Sequence, residues 1–227
     1  MNGANQRRLR GVSLPSLLLG GAVLLCTSLL ALGHLATRDS IQAREAEDLI
    51  ASLDQVLPAA RRDNDLLASV RAWPLPDGGQ RLIYSATQAG EIRGLAYRVT
   101  APDGYGGPIQ LLLGVAPDGR VLGVRVLAHS ETPGLGDKID VLKSDWIRDF
   151  DGRSLNDPAS DGWAVKKDGG RFDQFTGATV TPRAVVSAVH QGLLFFHQGR
   201  AALLEPTGIT QGTAENRAEP TPEGAGS

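Results

Sequence analysis

The sequence predicts an α+β fold, in which a twisted, mainly antiparallel sheet has flanking helices and is preceded by one transmembrane helix. Three observations lead to this fold class. A long uncharged apolar run lies near the N-terminus, strand-like runs separated by Gly, Pro and Asp-Gly turn signals follow in the middle, and an apolar helix-like run follows them. A dinucleotide-binding GxGxxG after a strand is absent.

The composition excludes several classes of function. A length of 227 residues allows one medium domain plus extra segments. A net charge of −2, without a basic cluster that carries interleaved aromatics, argues against a nucleic-acid partner. Cys26 is the only cysteine, so neither an intrachain disulfide nor a thiolate metal cage is expected. The four histidines lack HExxH or comparable spacing, and we therefore expect no protein-bound metal.

Residues 11–37 contain no Asp, Glu, Lys or Arg and are long enough to cross a bilayer as a helix, which takes about 20 apolar residues. A cleaved signal peptide is the alternative, with Ala31-Leu32-Gly33 as an approximate cleavage site. Its apolar region would be only about 7–15 residues long, so an uncleaved anchor is favoured. A lipoprotein signal at Cys26 is disfavoured because Leu25 is the wrong size for that cleavage.

The distribution of basic residues predicts the orientation of this anchor. Residues 1–10 carry three arginines, whereas Arg38 and Arg44 after the span are mixed with acidic residues. Because Lys and Arg are enriched on the cytoplasmic side, residues 1–10 are predicted to be cytoplasmic and the chain beyond residue 37 to lie outside the cytoplasm.

The next segment, 38–80, is predicted to be a helix over 39–57, ended by Pro58, followed by a linker with turns around 73–79. A domain over 81–200 then contains four predicted strands: 81–86, 94–100, 109–115 and 121–127. Short helical turns are expected at 139–142 and 146–150. The last predicted helix runs from Pro182 to about His197, with Thr181 as its cap and Pro182 at its first position. Residues 201–227 are predicted to be a disordered tail, because Pro, Gly, Thr, Glu and Ala dominate from Glu205 onward.

The fourth strand leads into Glu131-Thr132-Pro133-Gly134-Leu135-Gly136. Pro133 fixes a turn, and Gly134 and Gly136 can adopt backbone angles closed to other residues. Such a loop lets the main chain approach a flat ring, with Glu131 and Thr132 as hydrogen-bonding side chains. An ordinary strand-to-helix turn would look the same if this loop stood alone. For His129, just before it, a structural hydrogen bond is expected.

A second motif, Asp173-Gln174-Phe175-Thr176-Gly177-Ala178-Thr179, comes directly before the last predicted helix. Helix N-termini favour anions such as phosphate, although a capped loop with incidental threonines would also explain the string. The pattern resembles the recognition sequence of bacterial flavin transferases, which join FMN through its phosphate to a threonine hydroxyl. This resemblance implies that Thr179 is the attachment point and that Asp173, Thr176, Gly177 and Ala178 are recognition residues.

Together the two motifs, after one N-terminal span, resemble the FMN-binding family. Gly104-Tyr105-Gly106-Gly107, His129, Trp146-Ile147 and the run Lys166–Gly170 favour the G-subunit family of Rnf-type ion-translocating electron transport complexes over the homologous subunit of Na⁺-translocating NADH:quinone reductase. The resemblance implies covalent FMN on Thr179 and ring contacts from Glu131, Thr132, Gly134, Leu135 and Gly136. Lys166 and Lys167 are expected to place positive charge near the flavin, although a solvated charged pair would explain each of them.

The function implied by this resemblance is electron relay between subunits of a complex in the bacterial inner membrane, with the FMN domain in the periplasm. The complex would link ferredoxin and NAD redox chemistry to Na⁺ or H⁺ transport. The expected partners are the other subunits and a maturing flavin transferase. Two alternatives remain: a membrane-anchored FMN-binding sensory or regulatory module, and a non-redox extracytoplasmic structural protein.

Overall fold

The computed structural model describes residues 14–76 and 78–205. Helix α1 runs without a break over Leu14–Val56. The sequence from His34 to Leu57 contains neither Gly nor Pro, so nothing in it ends the helix where the apolar run stops. Within α1, Leu18–Arg38 is long and apolar enough to cross a membrane. The predicted cytoplasmic segment 1–10 and most of the predicted disordered tail lie outside the described residues.

The chain divides into two compact units, Met1–Ala51 and Ser52–Ser227. The second unit contains a five-stranded sheet in the order β1-β2-β3-β4-β5, and every neighbouring pair is antiparallel. The strands are β1 (Arg71–Pro74), β2 (Gln80–Gln88), β3 (Glu91–Ala101), β4 (Ile109–Val115) and β5 (Val121–Ala128). Helix α2 follows over Val180–Leu203. The predicted α+β fold class is confirmed.

Two element predictions need correction. Residues 71–74 form strand β1, so Trp73 and Pro74 lie in a strand and not in the turns predicted around 73–79. The four residues of this strand alternate in exposure, and Pro74 ends it at the sheet edge, where a missing N–H is tolerated. Helix α2 continues past His197, and Leu203 is fully buried although the composition predicts it to belong to the tail. The Leu203 carbonyl accepts a hydrogen bond from Arg71 Nη2 at 2.9 Å, which ties this helix end to β1.

Helix α2 packs on one face of the sheet. Gly192 allows the close approach, because a Cβ there would lie 2.6 Å from Leu113 Cδ2 and 3.0 Å from Val99 Cγ1. The Tyr97 hydroxyl donates to the Gly192 carbonyl at 2.8 Å. The helix therefore rests directly on β3 and β4 with its polar backbone satisfied at the contact.

The C-terminal end of α1 packs on the opposite face. Val56 lies over Gly114 of β4 and Gly123 of β5, where an added Cβ would be 2.9 Å and 3.2 Å from its side chain. Leu57 lies over Gly94 of β3 in the same way, at 2.7 Å. These glycines form a shallow groove in the sheet, and the sheet is thereby covered on both faces.

The connection between β5 and α2 is long, but it has its own packed interior. It contains short 3₁₀ turns over Gly136–Ile139, Asp145–Phe150, Ser160–Gly162 and Lys166–Asp168. Five buried aromatic side chains in this connection pack as neighbouring rings: Trp146, Phe150, Trp163, Phe172 and Phe175. This aromatic cluster fixes the path of the chain and so determines where the second motif is placed.

Candidate functional site

The structure brings the two sequence motifs side by side. We call residues 131–136 the Glu131 loop and residues 173–179 the Thr179 turn. A Cβ at Gly177 would lie 3.7 Å from Leu135 Cδ2, which is van der Waals contact. Gly177 adopts a φ of +81°, and the Ala178 N–H donates to the Phe175 carbonyl at 3.1 Å to close the turn.

The Glu131 loop has an exposed tip and a buried base. Thr132, Gly134 and Leu135 are exposed, whereas Glu131 and Gly136 are buried. The tip is a turn in which the Thr132 carbonyl accepts from the N–H groups of Leu135 and Gly136, at 3.1 and 3.2 Å. Gly134 adopts a φ of +79° and faces open space. Of the five predicted ring contacts, the three at the tip can touch a ligand directly.

Glu131 joins three parts of the chain from beneath the loop. One carboxylate oxygen, Oε2, accepts from the Thr181 hydroxyl at 2.5 Å, and the other, Oε1, accepts from the Gly106 N–H at 3.1 Å. Its own N–H donates to His129 Nδ1 at 3.0 Å. The structural role predicted for His129 is thereby confirmed. Glu131 itself uses both oxygens within the protein.

Thr181 does not cap the helix, and that prediction is wrong. Helix α2 begins at Val180, Thr179 occupies the cap position with φ −70° and ψ −27°, and Pro182 is the third helical residue. The Thr181 side chain is fully buried and bonds to Glu131 instead. A buried carboxylate requires hydrogen-bond donors, so the Thr181 hydroxyl donates to Glu131 and does not cap the helix.

Thr179 keeps an available hydroxyl. Its side chain makes no capping hydrogen bond and is partly exposed, while its carbonyl accepts from the Arg183 N–H at 3.3 Å as the first helical bond. The N–H groups of the first helical turn and the positive end of the helix dipole lie beside it. A phosphoester on this oxygen would therefore be in a favourable electrostatic environment.

A second buried carboxylate lies just past the Glu131 loop. Asp137 is 4% exposed, and its Oδ2 pairs with Lys143 Nζ at 2.6 Å. The Lys143 ammonium, helped by the Gly134 N–H, holds the pKa of Asp137 below its usual range. Nothing in the sequence indicates this pair. An acidic residue after two glycines carries no signal of burial, because the partner lies in a different turn.

The charged residues around the Thr179 turn are paired with one another. Lys166 Nζ lies 2.6 Å from Asp173 Oδ1, and both side chains are more than half exposed. Arg183 binds Asp168 through two hydrogen bonds of 2.6 and 2.9 Å, and this guanidinium lowers the pKa of Asp168. The Lys167 N–H donates to Gln174 Oε1 at 3.2 Å. Two of the three cations near the turn are therefore paired with carboxylates, and the Asp173 carboxylate of the motif is held by Lys166.

Neither a metal site nor the cleft between α2 and the sheet involves these loops. Within residues 14–76 and 78–205, no three His, Cys, Asp or Glu side chains are grouped so that they could hold a metal ion. A cleft of about 270 Å³ lies elsewhere, between α2 and the sheet, and is lined by residues such as Arg81, Gln191 and Phe195. It contains no residue of the Glu131 loop or the Thr179 turn.

The residues present fit FMN. The exposed tip with open space at Gly134 can meet a flat ring, and the uncommitted Thr179 hydroxyl at a helix start can carry a phosphate. These features are those that an FMN-binding domain requires. Residues 104–194 match the family model described as FMN-binding domain, and this range includes both motifs.

Similarity to known proteins extends over most of the chain. The G subunit of the ion-translocating oxidoreductase complex of Cereibacter sphaeroides strain ATCC 17029 is 54% identical over 190 residues, which is 84% of this chain and 86% of that protein. The proteins of the same name from Pseudomonas aeruginosa strain PAO1 and Vibrio atlanticus are 49% and 47% identical, over 84% and 78% of this chain and 91% and 87% of theirs. The chain belongs to the G-subunit family of ion-translocating oxidoreductase complexes.

Proposed function

We propose that this protein is the membrane-anchored electron-carrier subunit of an ion-translocating oxidoreductase complex, with FMN joined by a phosphoester to Thr179. The observation that carries this proposal is the environment of the Thr179 hydroxyl. Thr179 is partly exposed, makes no capping bond, stands at the start of a 24-residue helix and ends a turn that lies next to the Glu131 loop. Membership in the G-subunit family supports the same assignment.

The residues of this chain would hold and orient the cofactor, while bound FMN supplies reversible electron transfer. Thr132, Gly134 and Leu135 present polar, backbone and apolar groups at the exposed loop tip. The start of α2 stabilises the negative charge of the phosphate. Lys166 and Arg183 are paired with Asp173 and Asp168, so together with Lys167 this group has a net charge of +1 near the turn. Positive charge near a flavin favours its reduced, anionic form.

The proposed recognition residues would be accessible to a maturing enzyme. Asp173, Thr176 and Gly177 are exposed, and Ala178 is partly exposed. The left-handed Gly177 and the small Ala178 keep the approach to Thr179 clear. We infer that a flavin transferase binds this turn and that the Lys166–Asp173 pair presents the carboxylate to it. Because both groups are exposed, the pair itself contributes little to stability.

The proposed membrane location is based on helix α1, and the proposed complex is based on the family. We infer that α1 crosses the bacterial inner membrane with the N-terminus in the cytoplasm, and that the FMN domain lies in the periplasm. Electrons would pass through it between other subunits, in a complex that links ferredoxin and NAD chemistry to Na⁺ or H⁺ transport. A covalent bond would keep the flavin on the protein on a side of the membrane where free FMN is scarce.

The attachment is tested by intact mass of the full chain co-expressed with its flavin transferase. The wild type should be heavier than its polypeptide by one FMN less one water and should remain fluorescent after denaturation. Thr179→Ala should lose both signals, whereas Thr176→Ala, the matched control, should keep the site of attachment and lower only the extent of modification. Denaturation-resistant flavin on Thr179→Ala would overturn the assignment.

A further inference from the structure

We propose that Glu131 and Thr181 are a pair of positioning residues that fixes the tip of the Glu131 loop relative to the attachment residue. The proposal rests on the proposed function, since it concerns how this chain would orient FMN once the cofactor is attached. Thr181 then acts neither in helix capping nor in attachment. Glu131 supports the loop from beneath and does not contact the ring itself.

The pair is buried and connects three segments. Glu131 is 5% exposed and Thr181 is 0% exposed. The hydroxyl of Thr181 donates to Glu131 Oε2 at 2.5 Å, and the N–H of Gly106, in the turn after β3, donates to Oε1 at 3.1 Å. A buried carboxylate that loses a donor incurs a desolvation cost, so each of these bonds strongly favours one arrangement of the segments.

Glycines lie directly against the hydrogen-bonded pair. A Cβ on Gly136 would lie 2.6 Å from Glu131 Oε2 and 2.8 Å from the Thr181 hydroxyl oxygen. A Cβ on Gly104 would lie 2.8 Å from Glu131 Oε1, and one on Gly106 would lie 1.9 Å from the Ser130 carbonyl oxygen. Gly136 and Gly104 therefore lie directly against the Glu131 carboxylate, and Gly106, which donates to it, has no room for a side chain beside the Ser130 carbonyl.

The Glu131–Thr181 hydrogen bond lies only one or two residues along the chain from each half of the site. The exposed tip starts one residue after Glu131, and the attachment residue lies two positions before Thr181 in the chain. A flavin held at Thr179 is tethered only through its flexible phosphate and sugar-alcohol chain. The tip must therefore stay at a fixed distance from Thr179 if it is to hold the ring, and the Glu131–Thr181 bond supplies that constraint.

The test compares Thr181→Val with Thr181→Ser in the full chain, co-expressed with the flavin transferase. Valine keeps the volume of threonine without the donor, and serine keeps the donor. We expect covalent FMN on both variants, since neither substitution changes Thr179 or the recognition residues. In the valine variant the fluorescence anisotropy of the flavin should fall and hydrogen exchange at the Gly106 amide should accelerate by about tenfold or more. The serine variant should restore both.

Wild-type anisotropy and wild-type Gly106 exchange in Thr181→Val would overturn the proposal. Loss of covalent FMN from the valine variant alone would also overturn it, because Thr181 would then act in attachment. If the valine variant does not fold, Thr181→Ala takes its place; it also removes the donor to Glu131 Oε2, and unchanged anisotropy there would contradict the pair. Absence of covalent FMN from the wild type would contradict the proposed function instead, while Gly106 exchange would still test the pair.

Discussion

At the scale of single residues, the two threonines at the start of α2 should differ sharply in their contribution to stability. Thr181→Val leaves a buried oxygen of Glu131 without its donor and should lower the free energy of unfolding by about 1–3 kcal/mol. Thr179→Ala removes a partly exposed hydroxyl that makes no capping bond, so its cost should stay below about 0.5 kcal/mol. Urea unfolding of both variants in the flavin-free protein measures the difference, and equal costs would contradict this account of Thr181.

Gly134 offers a way to perturb the proposed ring contact without disturbing the fold. Its φ of +79° is unfavourable for most side chains, but asparagine tolerates this region, and the space around the position is open. Gly134→Asn should therefore keep the thermal stability of the protein close to wild type while placing a side chain between the loop and the ring. We expect an altered visible absorption spectrum with unchanged covalent attachment. An unchanged spectrum would remove Gly134 from the ring site.

His190 should make stability depend on pH. Its ring stacks on Trp163 with centroids 5.3 Å apart and an interplanar angle of 10°, and burial lowers its pKa below the usual 6.5. Since the folded pKa is the lower one, the neutral ring is favoured by folding. Its stabilising contribution is complete above pH 6.5 and is lost as the pH falls through the folded pKa.

His190→Phe keeps an aromatic ring on Trp163 but removes this titration. The decrease in unfolding free energy between about pH 7.5 and about pH 5.5 should be smaller in the variant than in the wild type. Urea unfolding at the two pH values, followed by tryptophan fluorescence, gives the comparison. An identical decrease in both proteins would show that His190 does not contribute.

At the scale of elements, glycines in the sheet allow the end of α1 to pack closely against it. A Cβ at Gly114 would lie 2.9 Å from Val56 Cβ and 3.2 Å from the Val56 carbonyl oxygen, whereas a Cβ at Gly123 would approach Val56 Cγ1 at 3.2 Å. Gly114→Ala should therefore destabilise the domain by about 1–3 kcal/mol, because the helix must move away. Gly123→Ala, at the paired position of β5, should cost less, since only a methyl group must adjust. Thermal unfolding ranks the two variants, and the reverse order would contradict this packing.

The long connection between β5 and α2 shows what sequence patterns cannot provide. The sequence of this connection has neither helical nor strand-like periodicity. Its structure is fixed by aromatic rings that are far apart in the sequence and pack together in the fold. Trp146 packs edge-on against Phe175 at 5.2 Å, and its indole N–H donates to the Asp173 carbonyl at 2.8 Å. The aromatic cluster thus places the Thr179 turn, yet each aromatic residue alone indicates only a position in the core.

At the scale of the whole molecule, local signals predicted the sheet and the membrane-length helix well. Strand-like runs bounded by turn residues located β2 to β5, and those for β4 and β5 are nearly continuous in apolar residues. Strand β1 was missed since its four residues include a proline. The motifs also predict that the two loops form one flavin site, and this stays a prediction. They did not predict that Glu131 faces inward or that Thr181 serves it, because a buried carboxylate and its donor come from separate segments. Burial of that kind depends on tertiary packing.

The distribution of arginines predicts the orientation of the whole molecule in the membrane. Leu18–Arg38 is long and apolar enough to span the bilayer, and the arginines of residues 1–10 precede it. Because basic residues are retained in the cytoplasm, the sheet domain should be exported. Alkaline phosphatase fused after Glu205 should be active, and a reporter that folds only in the cytoplasm should be inactive at the same junction. Replacing Arg7, Arg8 and Arg10 by glutamine should weaken this bias and lower the phosphatase activity, whereas the same change at Arg61, Arg93 and Arg120 should leave it unaltered. Activity of the cytoplasmic reporter in the wild-type chain would place the FMN domain on the opposite side.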